Sequence, residues 1–429
     1  MESNTKFYMW KQSNIFILIV AVVLWAGGLG ANAAIYDSYQ YLSPGMPFWP
    51  EGNSFGSGKL QFFPELAVGL VYNDNIYLDE NDEESDVISH VIPRLMIDYS
   101  LEERGHIKLG YAGDFALYAD FSDNNWQRHN LGFEIDYSAP SGLFVDLGNN
   151  YVHTSDPFGS SEEYALGQQK KRWYNLLGLG LGYNHADATK VVGYANYNVQ
   201  EYKDTEADWS QNFDEISYGA GFEKRVAQKT WGFVRYFHGE RDYSTASPDG
   251  TVNESNDADF IFDRVAAGLT WDLTSRVTGE LNFGYGWLDY ENPADADDVP
   301  YEDQNTWLAA TRIDYAFKPG VTNMYLRLER GVYPRGSFTS ELFTGTDMSV
   351  GLTHRFYSWY KFKAYVGISR NEYNTTRDDE DFRAGLVLEY LIHRRWTLGI
   401  GYDYYRRNSN EPGESWTSNR GMITVTWRY

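Results

Sequence analysis

From Glu65 to the end of the chain, apolar and polar side chains alternate with a period of two. That period marks β-strands with one face against an apolar medium. The last nine residues show it cleanly. Ile423, Val425, Trp427 and Tyr429 share one face, and Met422, Thr424, Thr426 and Arg428 share the other. Elsewhere Leu109, Tyr111, Phe115 and Leu117 oppose Lys108, Asp114 and Ala116, and Leu177, Leu179 and Leu181 oppose three glycines. Eighteen strands follow from the pattern: 65–73, 88–100, 106–119, 125–138, 143–154, 170–184, 190–202, 212–225, 230–243, 259–272, 276–290, 304–317, 321–333, 343–356, 360–373, 380–391, 395–406 and 416–429. A count of sixteen is the alternative. One strand breaks the separation of faces, because Arg235 shares a face with Trp231, Phe233 and Phe237. An arginine facing lipid near the midplane would cost about 2–4 kcal/mol. Either a bulge or a reversed face is expected there.

The connections alternate strictly between short and long. Eight are tight turns: Leu101–Gly105, Ala139–Gly142, His185–Thr189, Val226–Lys229, Leu273–Ser275, Lys318–Gly320, Tyr357–Trp359 and Ile392–Arg394. A hairpin needs only a tight turn. Long loops at every second connection therefore place one end of the structure under a different demand, as in transmembrane barrels with short periplasmic turns and long outside loops. A sandwich or propeller does not require this. Strands descending to tight turns end on Tyr99, Tyr137, Tyr183, Trp271, Phe317, Phe356, Tyr390 and Tyr429. Strands ascending to long loops end on Tyr118, Tyr202, Tyr243, Tyr290, Tyr333 and Tyr373. Two rows of rings one strand apart are expected as girdles at the two membrane interfaces.

The fold class is thus all-β, a closed antiparallel transmembrane β-barrel over 64–429. Closure follows from backbone chemistry, since an unpaired N–H or C=O in hydrocarbon costs several kcal/mol. Glu65–Asn73 is expected to pair with Gly421–Tyr429. Eighteen strands make a lumen too wide for side chains alone to fill.

The chain's beginning supplies the compartment. Lys6 and Lys11 precede an apolar run from Ile15 to about Leu29, and Ala31-Asn32-Ala33 follows. That order makes residues 1–33 a secretory signal peptide. A membrane anchor is the competing reading, but the run is short of the roughly 20 residues needed to span. Residues 34–63 read as an irregular periplasmic lead-in or a small plug.

Composition changes the picture in three places. The chain has no Cys, so no disulfide holds it together. Its formal charge is −24, and removing 1–33 takes away Glu2, Lys6 and Lys11, leaving −25. Nucleic acid is excluded as a partner on that balance. Thirty-five Tyr and fourteen Trp are the third anomaly, and a barrel crossing two interfaces uses such rings.

The segment from Phe63 through Tyr72-Asn73-Asp74-Asn75 to Tyr77, an acidic loop, and then Val91-Ile92-Pro93-Arg94-Leu95 resembles the opening of the putative beta-barrel porin 2 family. The terminal strand resembles the assembly signal of bacterial outer-membrane barrels, with Ile423, Val425, Trp427 and Tyr429 as its apolar positions; such barrels more often end in Phe. The resemblance implies a Gram-negative outer-membrane barrel without a catalytic motif. Some relatives are associated with exopolysaccharide secretion. The partners implied are outer-membrane lipid and lipopolysaccharide, the barrel-assembly machinery and, for the secretion reading, periplasmic polysaccharide-export components. No cofactor is expected.

Function then rests on lumen and loops. The inward positions in this register include Arg94, Asp98, Glu134, Asp136, Arg264, Glu280, Arg312, Asp314, Arg327, Glu329, Arg355, Arg383 and Glu389. Mixed signs suit either a wet, weakly selective pore or ion pairs that close it. The runs 79–86 and 289–303 are acidic, read as solvated external loops or as divalent-cation bridges to lipopolysaccharide. Neither has EF-hand spacing. His153-Thr154-Ser155-Asp156 has the residue types of a hydrolase, but neighbours on a strand face opposite ways and do not converge on one atom. The expectation is a porin-like channel for polar solutes; the alternatives are a polysaccharide-secretion barrel, a plugged or structural barrel, and an outer-membrane enzyme.

Overall fold

A computed structural model describes residues 54–155, 169, 171–203, 212–244, 258–274, 276–292, 301, 303–335 and 338–429. Residues 1–53 (the segment read as a signal peptide among them), Asp156, Ser275 and most of the acidic run 289–303 lie outside the described residues. The strands in chain order are β1 (Phe55–Ser57), β2 (Leu60–Asn73), β3 (Asp86–Ser100), β4 (Gly105–Tyr118), β5 (Trp126–Ser138), β6 (Leu143–Thr154), β7 (Arg172–His185), β8 (Thr189–Tyr202), β9 (Phe213–Ala227) and β10 (Thr230–Tyr243). They continue with β11 (Phe260–Thr274), β12 (Val277–Tyr290), β13 (Gln304–Lys318), β14 (Thr322–Arg335), β15 (Phe338–Phe356), β16 (Tyr360–Tyr373), β17 (Asp378–His393), β18 (Trp396–Ser409) and β19 (Trp416–Arg428). Each of β2 to β19 pairs antiparallel with its neighbours in sequence, and β19 returns to β2. The result is a closed barrel of eighteen strands.

Closure runs from Arg420 opposite Asn73 to Arg428 opposite Glu65, one residue up-chain from the register expected. The first strand begins at Leu60, and Phe55–Ser57 folds back on it as a short ribbon, so residues 54–63 are not irregular. Side chains fasten the seam at both ends. At the periplasmic end the buried Glu65 carboxylate accepts from Arg94 on β3 and Arg428 on β19, each at 2.5 Å. At the outer end Asn73 Oδ1 accepts from Ser418 Oγ at 2.9 Å, and Asp74 accepts from Asn419 N and Nδ2, both at 2.6 Å. Asn75 is fully buried, and its amide donates to the carbonyls of Thr417 and Asp79 at 2.9 and 2.7 Å. The Asn-Asp-Asn motif is therefore a clamp between the first loop and the last strand. Asn75→Ala removes two part-buried hydrogen bonds that brace the loop and tie it to the last strand, and a loss of about 1–3 kcal/mol is expected. The check is a lower temperature for conversion to the slow-migrating, unfolded gel band; an unchanged midpoint would contradict it.

Outward and inward faces separate by exposure. Leu66, Val68 and Leu70 are exposed while Glu65 and Ala67 are buried, and the same alternation runs round the barrel. The lower aromatic row meets the membrane side as expected: Tyr99, Tyr183, Phe317, Phe356 and Tyr390 are exposed, and Tyr137, Trp271 and Tyr429 are half-buried. The upper row does not. Tyr118, Tyr202, Tyr243 and Tyr333 are buried, with Tyr290 and Tyr373 half-buried. The reason is length: strands of about 9–11 residues already span, and most here have fourteen or more. Their upper ends stand clear of the bilayer, where rings pack inward against one another. Phe213, Tyr243, Phe260, Phe262 and Leu288 form one such cluster, and Ile76, Ile88, Ala116 and Tyr118 form another.

The outer girdle lies lower on the strands. Tyr72, Tyr197, Tyr218, Tyr236, Tyr285, Trp287, Trp307 and Tyr402 are the exposed rings. Several turn their hydroxyl to a polar group on the next strand: Tyr197 to Asp214, Tyr236 to Asp263 at 2.5 Å, Tyr285 to Asn305 at 2.6 Å and Tyr402 to Asn419 at 2.5 Å. A ring in lipid with its hydroxyl paired toward the headgroups marks the interface.

Candidate functional site

The site is the lumen wall, and the strand period decides who lines it. Because β10 exposes Val234 and Tyr236 outward, its Phe233 and Arg235 face inward and are buried. The face is reversed from the one its apolar rings suggest. Arg235 donates to Glu223 on β9 at 3.1 Å and to Glu280 on β12 at 3.0 Å, and its guanidinium lies 3.9 Å over the Phe233 ring. Tyr194 and Phe237 pack beside it with ring centres 5.3 Å apart and planes tilted by 33°. The arginine is thus an internal cross-brace over four strands. Nearer the mouth Arg241 makes a two-nitrogen contact with Glu215 at 2.9 and 2.7 Å and covers the Phe213 ring at 3.8 Å.

The thirteen inward candidates all fall on the lumen side of their strands, and most of them are gathered into separate pairs around the wall. Arg94 meets Glu65, as above. Asp98 takes the His106 ring at 2.9 Å, and Glu134 takes Lys108 at 2.6 Å. Asp136 accepts from the His106 backbone at 3.0 Å and lies 3.8 Å from Lys108. Arg264 covers the Phe262 ring at 4.6 Å, and Glu280 belongs to the Arg235 brace. Arg312 pairs with Asp314 at 2.8 Å, and Arg327 with Glu329 at 2.8 Å. Arg383 reaches Asp347 at 2.5 Å, and Glu389 takes both Lys361 at 2.9 Å and Lys363 at 2.7 Å. Arg355 stands opposite Lys361 in the β15–β16 register.

Other inward groups were not among the candidates: Arg235, Arg241, Glu215, Glu223, Asp347, and Arg407 with Asp381 at 2.9 Å. The available signal was parity, since Arg235 and Arg241 share one face of their strand. On the terminal strand Ile423 and Val425 are exposed outward. Tyr429 lies under the Arg395 guanidinium at 4.2 Å and beside Phe55 at 5.0 Å.

The His153-Thr154-Ser155 run does not converge on one point. His153 and Thr154 diverge: Thr154 is buried inward while the His153 ring stacks on His129 at 6.3 Å. Among the described residues no three His, Asp or Glu side chains are arranged to hold a metal ion. In the outer loop Asp79 accepts the backbone N–H groups of Asp82 and Asn81 at 3.0 and 2.8 Å, which holds its carboxyl below the usual range. That carboxylate shapes the loop.

Residues 46–429 match the family described as "Putative beta-barrel porin 2". The chain belongs to that family. With a closed barrel of eighteen strands, membership sets this porin-like chain in the outer membrane. No curated protein matches it. Similar solved structures include the outer membrane protein OpdK from Pseudomonas aeruginosa, 13% identical over 86% of this chain and 99% of that one, with a TM-score of 0.45. Another is OccK2 (OpdF) from the same organism, 11% identical over 86% and 97%, with a TM-score of 0.44. The siderophore receptor PiuA from Acinetobacter baumannii is 9% identical over 88% and 82%, with a TM-score of 0.41.

Proposed function

We propose that this barrel is a water-filled channel that passes small polar solutes across the outer membrane. One observation carries the reading. Arg312 and Asp314 face inward in the periplasmic half, yet their side chains are 59% and 43% exposed. Charged groups pointing into a closed ring and still reaching solvent line an aqueous space. Eighteen strands about 4.8 Å apart and tilted about 40° enclose a circle roughly 35 Å across between backbones, wider than side chains fill. A mixed-sign wall, much of it already paired, favours polar solutes generally over one sign of ion.

Delivery completes the reading. The 1–33 segment is removed near Ala33, and the Ile423, Val425, Trp427 and Tyr429 face is read by the assembly machinery. Outer-leaflet lipid and lipopolysaccharide then surround the barrel. Purified protein reconstituted in planar bilayers is expected to give stepwise, ohmic currents in potassium chloride, and its liposomes to swell in small sugars. A barrel that is folded by heat-modifiable migration but silent at all voltages overturns the proposal. A second reading, polysaccharide secretion, draws support from inward hydrogen-bonding groups: the side-chain oxygens of Asn130, Asn150 and Asn371 are buried without partners. It predicts current only after the mouth is opened by a passing polymer.

A further inference from the structure

Four cross-strand pairs on the described lumen wall set like charges opposite each other; Arg312 with Arg327 and Glu329 with Asp347 lie higher and have opposite charges bonded beside them, and the other two lie at the periplasmic rim. Asp136 on β5 stands directly opposite Asp146 on β6, and Arg355 on β15 directly opposite Lys361 on β16. Like charges so placed destabilise a sheet. Both pairs lie within a few residues of the periplasmic strand ends. β15 and β16 stand ten strands along from β5 and β6 in a ring of eighteen, so the two pairs face each other across the lumen. Their neighbours reinforce them. Asp98 and Glu134 join the acidic sector, against Lys108 and His106; Lys363 joins the basic sector, against Glu389. Asp146 makes no ion pair among the described residues, and the one ion pair of Asp136 is the 3.8 Å contact with Lys108, beside its hydrogen bond from the His106 N–H.

Resting on the channel reading, we infer that the periplasmic half of the lumen is divided into two ion lanes. Cations follow the acidic sector around Asp136 and Asp146, and anions follow the basic sector around Arg355, Lys361 and Lys363. The scale permits it. At 0.1 M salt the screening length is about 10 Å, against roughly 35 Å between opposite backbones. Each wall therefore gathers its own counter-ions without cancelling the other. A solute carrying both charges finds a complementary wall for either end, so zwitterions are the class this arrangement accepts without a penalty for sign.

The test is the reversal potential of single channels in a potassium chloride gradient. Wild type is expected to pass both ions with a permeability ratio near one. D136N/D146N, which removes two carboxylates, is expected to lower the potassium-to-chloride ratio to roughly one half or less, and R355Q/K361Q/K363Q to raise it to roughly two or more. D136N/D146N removes like-charge repulsion, so heat-modifiable migration at the wild-type temperature or above verifies its fold. R355Q/K361Q/K363Q also takes both lysines from Glu389, so its fold is verified by a fast-migrating band at the recording temperature, with a lowered conversion temperature expected. Hexaamminecobalt(III) added from the periplasmic side is expected to cut the potassium current and spare the chloride current. Unchanged ratios in a conducting channel, or equal suppression of both currents by the trivalent cation, overturn the lanes alone. No current from wild type overturns the channel reading itself, and the lanes with it.

Discussion

Ile423→Arg is expected to abolish the folded, fast-migrating band of this protein in unheated gels, with the chain lost to periplasmic proteolysis. Ile423 is exposed on the outward face of β19, level with Leu70 on β2 and Ile400 on β18. It lies midway between the lower ring Trp427 and Asn419, which the girdle residue Tyr402 contacts. Nine residues at about 3.3 Å, tilted about 40°, cover roughly 23 Å, close to the apolar band of such barrels. A guanidinium at its centre costs about 2–4 kcal/mol. The cost falls on the strand that closes the ring, where only the β2 and β18 ladders hold it. Val425→Arg lies nearer the interface, where a snorkelling side chain recovers part of the loss. A graded loss, severe at 423 and milder at 425, is the expected result. Equal and normal folding of both variants would show that this face does not meet lipid.

The second large effect is internal. Arg235→Met should lower the urea midpoint of the detergent-solubilised barrel by the equivalent of about 3–5 kcal/mol, because it takes the cation they share from two poorly exposed carboxylates. Arg235 is 7% exposed, with Glu223 at 12% and Glu280 at 7%, so water substitutes poorly for the lost partner. The combined variant Arg235→Met, Glu223→Gln, Glu280→Gln should recover most of the loss, since both carboxylates are then neutral and Lys190, which loses Glu223, is 31% exposed to water. If the single variant unfolds at the wild-type midpoint, the brace does not bear on stability.

Much of this architecture was legible in the alternation of side chains. Strand 360–373 and strand 230–243 begin and end where the periodicity placed them. So did the seam, within one residue. A period of two names two faces but does not say which is wet. In β10 the inward face carries Phe233 and Phe237 and the outward face Val234 and Tyr236, so apolarity alone chose wrongly. The same ambiguity misplaced the upper ring row. Tyr243 ends a strand as a girdle residue would, but the membrane stops short of it, and no pattern in the sequence marks that height. Pairings such as Asp136 with Asp146 depend on the alignment of neighbouring strands, which turn lengths only suggest. The Asn73-Asp74-Asn75 run was visible as a family motif, and its work as a clamp needed the last strand in place beside it.

The fastenings at the two ends of the β19–β2 boundary bear on how the ring is finished. Sliding one ribbon past the other preserves the facing of side chains only in steps of two residues. Any such step carries Arg428 away from Glu65 and Asn419 away from Asp74 together. A misaligned join therefore forfeits contacts at the top and the bottom simultaneously, and no intermediate alignment keeps one while losing the other. The last act of folding is in this way proofread by two distant checkpoints, and a ring in which only one of them has engaged would reopen.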